Sequence, residues 1–248
     1  MSSLSTQPIN NRLLKALSPE NFEALRGFLE PVELKLRTNL VEIDRDIEHV
    51  YFLETGIASV VAASADNERI EVGHIGWEGM SGTAICLGVS KGSTETFMQV
   101  AGHGTRVRRA DFEDLLATHP PIRDLMLRYV YIQQIQVAYS ALANARYDLR
   151  QRLARWLLMC HDRVEGDLVI LTHEFLSLML GVRRAGVTGE MHILEGMGLI
   201  KATRGHIRIL DRQKVEEMAG ASYGHPEIVY DTLISPRAET ETRFLSLP

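Results

Sequence analysis

From Ile122 to Glu165 the chain contains neither glycine nor proline, and Pro120 and Pro121 stand directly before that run. Proline suits the first turn of a helix, where its missing N–H has no intrahelical partner to lose. Behind the prolines, Ile122, Leu125, Met126, Tyr129, Ile132, Ile135 and Tyr139 recur at spacings of three and four, the period of one helical face. The stripe predicts a helix across 119–147, well beyond the ~10–14 residues of an average globular helix. A rod of this length must be covered along at least one side. It is a candidate dimer seam, ahead of the alternative in which it packs only on its own domain.

The long helix divides two textures. Residues 10–30 read as short helices, with Ser18 as N-cap and Pro19 at the first helical position of "SPENFEAL". From residue 32, β-rich runs follow at intervals of about ten residues. They are "VELKLR", "VYFLETGIASVVAAS", "RIEVGHIG", "ETFMQVAG" and "GTRVRR", with turns at "SADNE" and "GVSKGS". Short strands so spaced predict a sandwich or barrel over 1–118. After the long helix, "DLRQRLARWLLMCHDRV" begins a new amphipathic helix. The following segment divides into a helix (173–180), a turn at Gly181, a second helix (about 183–196) and a hairpin with its tip near Arg204 and Gly205. That order reads as a winged helix–turn–helix over 148–220. Residues 221–248 read as a loosely packed tail. The fold class is α+β.

In the second helix Val187, Met191 and Leu194 share a face at i, i+4 and i+7, and would pack on Phe175, Leu176, Met179 and Leu180 of the first. This turns Arg183, Arg184, Ala185, Thr188, Gly189 and His192 outward. Arginine pairs bidentately with phosphate or with guanine O6 and N7, and such a helix enters the major groove N-end first. The formal net charge of the chain is −5, so any basic surface has to be local. Residues 148–220 hold eleven Lys and Arg against ten Asp and Glu, with Arg183, Arg184, Lys201, Arg204 and Arg208 gathered in the second helix and the wing. The expected partner is double-stranded DNA.

Other chemistries find little support. The two cysteines, Cys86 and Cys160, are far apart and without a CxxC or CxxH partner, which argues against a disulfide framework, zinc or an iron–sulfur cluster and suits a reducing, cytoplasmic setting. His74, near a strand end, reads as a hydrogen-bonded surface residue rather than a haem ligand. His103, His119, His161 and His206 are scattered, and no nucleophile-elbow or phosphate-loop motif occurs in a supporting context. Neither a metal, a cofactor nor enzymatic activity is expected. No signal segment and no membrane span are expected either.

The segment "LTHEFLSLMLGVRRAGVTGEMHILEGMGLI" resembles the helix–turn–helix of the Crp–Fnr family, the cyclic-AMP receptor protein and the fumarate–nitrate regulator. Thr172, Leu180, Gly181, Val182, Arg184, Val187, Leu194, Gly198, Leu199 and Ile200 fall in register with the family pattern. "RLARWLLMC" is similar to the helix that opens the family's DNA-binding domain. The resemblance implies an N-terminal β-roll like that of cyclic-nucleotide-binding domains, a central dimerisation helix and a C-terminal winged helix. It implies a homodimer on a two-fold-related DNA site that regulates transcription through RNA polymerase. By the same resemblance Arg184 would read a base edge, Arg183 and Thr172 would touch the backbone, His173 would contact phosphate, and Lys201 and Arg204 would add phosphate contacts from the wing.

Two departures stand out. Ala185 and Gly189 occupy positions where the family carries a base-reading glutamate and a second arginine, so two contacts of ~1–3 kcal/mol each are absent. Readout then rests on Arg184, Thr188, His192 and DNA shape. In the roll, Gly76, Glu78, Gly79, Met80 and Ser81 mark an effector pocket by the same resemblance. The family's phosphate-binding arginine is replaced within "STET", and its adenine-binding pair falls at Ile135 and Gln136, which disfavours cyclic AMP. The rival to the regulator reading is a small-ligand-binding or protein-interaction module whose helix–turn–helix has lost DNA affinity.

Overall fold

The computed structural model describes residues 9–234 apart from 67 and 172, with only the backbone of 173 and 174. It opens with two short helices, α1 (Arg12–Lys15) and α2 (Pro19–Arg26). Each starts on a side-chain cap: Asn11 accepts from the Leu14 N–H, and Ser18 from the Asn21 N–H. Pro19 takes the first turn of α2, as its sequence predicts.

Seven strands follow: β1 (Glu30–Leu34), β2 (Asn39–Val41), β3 (His49–Leu53), β4 (Ile57–Ala63), β5 (Arg69–Ile75), β6 (Glu95–Val100) and β7 (Gly102–Arg108). They form two antiparallel sheets, ordered β1-β7-β3 and β2-β6-β4-β5. Leu34, Leu40, Leu53, Ala58, Ile75 and Met98 are buried together between them. This is the expected β-roll. The short β2 has too few residues to show alternation and is invisible in the sequence. A 3₁₀ turn, Thr83–Leu87, fills part of the span between β5 and β6.

Helix α3 (Arg109–Thr118) leads into α4 (Pro120–Arg146), the long helix, at nearly the predicted bounds. Its apolar stripe has a different use from the one expected. Ile122, Leu125, Met126, Tyr129 and Ile132 lie in one core with Leu13, Phe52 and Phe112, so this face packs on the helix's own roll. The stripe proposed as a dimer seam is therefore intramolecular from Ile122 to Ile132, while Ile135 and Tyr139 remain half-buried outside that core. The physical reason is that α4 is apolar on more than one face. Its outer side still exposes Tyr131 (54%), Val137 (41%) and Leu142 (43%).

The C-terminal half comprises α5 (Leu149–His161), β8 (Leu168–Ile170), α6 (His173–Leu180), α7 (Arg184–Gly196), β9 (Ile200–Thr203), β10 (His206–Ile209), α8 (Arg212–Ala219) and α9 (His225–Ile234). The wing has three strands rather than two, in the order β8-β10-β9. Trp156, Leu157, Leu176, Val187, Met191, Leu194 and Ile207 form its core, which continues into Ile57, Val61, Phe97 and Val100 of the roll. The expectation of a loosely packed tail is corrected over α9. Tyr230 and Ile234 are buried in the same core as Leu13, Phe112 and Tyr129. Apolar residues at 226, 229, 230, 233 and 234 give α9 one inward face, which its mixed charge conceals in the sequence. Residues 235–248 lie outside the described residues.

Candidate DNA-binding site and its tie to the roll

The helix–turn–helix is set by one glycine and three buried side chains. Gly181 adopts φ +62°, a left-handed conformation that costs glycine little, and the Val182 N–H returns to the Ser177 carbonyl to close α6. Helix α7 then buries Val187, Met191 and Leu194 completely. Each such burial contributes about 1.5–3 kcal/mol. Holding that face inward fixes the opposite one. Arg183, Arg184, Ala185, Gly189 and His192 are exposed or half-buried, and Thr188 is half-buried.

Helix α7 begins at Arg184, with Arg183 in the capping position but providing no side-chain cap. The free N–H groups and positive dipole end of the helix lie beside two guanidinium groups. Cations there oppose the dipole, whereas an anion would satisfy both. Neither arginine is ion-paired with a described residue, while Arg150 of α5 is held by Glu190 of α7 at 2.7 Å. A Cβ at Gly189 would meet nothing within 4 Å, so the face is open there; one at Gly186 would lie 3.3 Å from Leu149 of α5.

The wing repeats the pattern. Lys201 on β9 is the antiparallel partner of Arg208 on β10, and both are exposed. Like charges directly opposed destabilise a sheet unless a counter-charge joins them. Arg204 is exposed beside the turn glycine, Gly205. Arg208 is the residue a sequence reading undervalues, because only strand register places it opposite Lys201. Of the predicted contacts, Thr172 and the side chain of His173 lie outside the described residues.

Of the five residues marked for an effector pocket, Glu78 lines a cavity, and the loop they form also makes a junction with the C-terminal half. Glu78 receives Arg163, which follows α5 and donates back to its Met159 carbonyl, at 2.8 Å, both side chains being largely buried. The Gly76 N–H donates to the same carboxylate at 3.1 Å. Burial alone would push the Arg163 guanidinium down; Glu78 and Asp162 carry it above its ordinary value. The Glu78 carbonyl accepts from the Tyr230 hydroxyl of α9 at 2.7 Å, and the Trp77 indole donates to the Asp162 carbonyl at 3.0 Å. A Cβ at Gly79 would overlap the Tyr129 hydroxyl, so glycine is what admits the α4 tyrosine. Met80 is fully buried, and the Ser81 hydroxyl accepts from the Tyr51 N–H. This loop thus ties the roll to α4, α5 and α9, beside a cavity of about 300 Å³.

His74 is corrected from a surface residue to a buried one. It lies 2.6 Å from Glu71 and edge-on to Trp156, because the face of β5 that carries it packs on α5. Trp156 Nε1 donates to the same carboxylate oxygen of Glu71 at 2.6 Å. No group of three metal-ligating side chains comes together among the described residues.

Residues 151–218 match the family model of the Crp-like helix-turn-helix domain. The chain carries a Crp-like DNA-binding domain. Its fold is shared, over 77–84% of the chain, with solved structures of Crp–Fnr proteins. FixK2 from Bradyrhizobium japonicum is 15% identical, with 77% of this chain and 98% of that one covered and a TM-score of 0.65. A CRP-family transcriptional regulator from Thermus thermophilus, TTHB099, is 21% identical, covering 76% and 96%, at 0.61. The c-di-GMP-responsive global regulator CLP of Xanthomonas campestris is 15% identical, covering 77% and 99%, at 0.63. These identities establish the fold. Among curated proteins, none matches the chain by sequence. The Crp-like domain, with its exposed arginine pair and basic wing, is a DNA-binding domain. Helix α9 lies beyond the segment that the family model matches. No described helix is long and apolar enough to cross a membrane.

Proposed function

We propose that the protein is a cytoplasmic homodimer that binds a two-fold-related DNA site and is controlled by a small molecule held in the roll. The observation carrying this reading is the set of exposed cations with no ion-pair partner among the described residues: Arg183 and Arg184 at the α7 N-terminus, and Lys201 opposite Arg208 in the wing. Arg184 reads a base edge. Arg183, Lys201, Arg204 and Arg208 hold phosphates, with Thr172 and His173 adding backbone contacts. Thr188 and His192 border the base-reading face, on which Ala185 and Gly189 leave room rather than contacts. Tyr131, Val137 and Leu142 on the outer side of α4 supply the dimer seam, and the regulator acts on RNA polymerase from its bound site.

The test is a salt titration of binding to duplexes selected from random DNA. Affinity should fall steeply as salt rises, by about tenfold or more between 50 and 200 mM, because each neutralised phosphate releases counterions. In sedimentation, Leu142→Glu should convert dimers to monomers and weaken DNA binding with them. Absence of binding at low salt would favour a ligand or protein module that has lost DNA affinity.

A further inference from the structure

A second cavity, of about 470 Å³ and partly open to solvent, lies between the β4–β5–β6 sheet, the 3₁₀ turn and α4. Val60, Ala62, Val72, Thr96, Val130 and Val137 represent its walls: aliphatic carbon and small hydroxyls. Among the described residues no Asp, Glu, Lys, Arg or His lines it. The junction cavity is the opposite case, with Arg12, Arg163 and Arg212 on its wall, each engaged by a carboxylate. The two spaces therefore suit different ligands. An ionic group taken from water needs a partner charge, and none lines this cavity. The volume falls within the ~300–1,000 Å³ of small-molecule sites, which are mostly apolar with a few placed polar groups.

We infer that the roll cavity binds an uncharged, predominantly apolar small molecule, and that Gln133 of α4 senses it. This rests on the reading of the roll as the sensor of a regulator. Gln133 borders both cavities. Its Oε1 accepts from the Thr83 hydroxyl at 2.9 Å on the roll side. Its Nε2 donates to the Tyr129 hydroxyl at 3.1 Å on the other. Tyr129 lies flush on Gly79, next to the Glu78–Arg163 pair that holds α5. A polar group on an otherwise apolar ligand would compete for Thr83 or Gln133, and so disturb a chain of contacts that ends on the DNA-binding domain.

Two probes sharing one ring system separate charge from shape: neutral N-phenyl-1-naphthylamine and the sulfonate 8-anilinonaphthalene-1-sulfonate. Each is titrated by fluorescence into the full chain without DNA. The neutral probe should saturate at one per chain and bind at least tenfold more tightly than the sulfonate. Ala62→Trp and Val137→Trp should each weaken it at least tenfold with an unchanged thermal midpoint. The β4 position controls for any effect of Val137 on self-association. Val137→Arg should invert the ranking in favour of the sulfonate. Equal or tighter sulfonate binding to the unmodified chain, displacement of the neutral probe by cyclic AMP, or indifference to both tryptophans would overturn the inference. Because DNA is absent from the assay, failure here and failure of the DNA-binding reading are separately visible.

Discussion

Arg184 and Lys201 are both exposed cations, yet their positions ask different things of them. Arg184 begins α7, the helix proposed to enter the groove and read base edges, whereas Lys201 stands on the wing, proposed to hold the backbone. Arg184→Ala should cost about 1–3 kcal/mol and relax preference at one base pair per half-site, while Lys201→Ala should weaken all sequences alike. Comparing selected with scrambled duplexes checks this, and identical behaviour of the two variants would count against base readout by Arg184. Gly189 makes a simpler case. It sits mid-helix with open space around its missing Cβ. Gly189→Ala should therefore stabilise by about 0.5–1 kcal/mol, read as a raised midpoint in urea unfolding. Gly186→Ala should gain less, because the new methyl would press on Leu149 at 3.3 Å.

At the scale of elements, α9 is the one whose role departs most from its sequence. It is a brace. Tyr230 reaches the Glu78 carbonyl, its ring lies 4.5 Å from the Arg12 guanidinium carbon, and Ile234 is only 4% exposed. Ile234→Ala should cost roughly 2–4 kcal/mol, as for other buried aliphatic truncations. A loosely held tail would give a change within about 0.5 kcal/mol, so the unfolding free energy of this variant decides between them. The α4 stripe teaches a related lesson. Periodicity located the helix and its inner face, but the roll covers Ile122, Met126 and Tyr129, and the outer Tyr131 and Leu142 carry no distinguishing pattern.

For the whole molecule, the roll and the DNA-binding half meet through a shared apolar core and also through ionisable groups, so their union depends on pH. Glu227 of α9 faces Arg163, Asp162 and Arg155 in this junction; burial raises its carboxyl above the ordinary value, and Arg163 only partly offsets that. The folded state then holds the proton more tightly than the unfolded state. Stability from this group is present at low pH and lost as pH rises through its folded value. Glu227→Gln, which keeps an acceptor for the Gly224 N–H, should stabilise the protein at pH 7, with the advantage shrinking as pH falls through the raised folded value and gone once the ordinary carboxylate value is reached. Thermal midpoints of both proteins across pH 4–8 check the sign.

The sequence by itself determined the elements and the class of the DNA-binding half. Local signals suffice there: a helical period, a glycine at the turn, and Arg183 and Arg184 outward because Val187, Met191 and Leu194 face inward. Tertiary structure alone decided what those elements meet. Glu78 joins Arg163 across 85 residues, Lys201 opposes Arg208 only through strand register, and the charge-free roll cavity is walled by segments from β4 to α4. Such contacts depend on how faces pack, and a one-dimensional period carries no record of the partner each face will find.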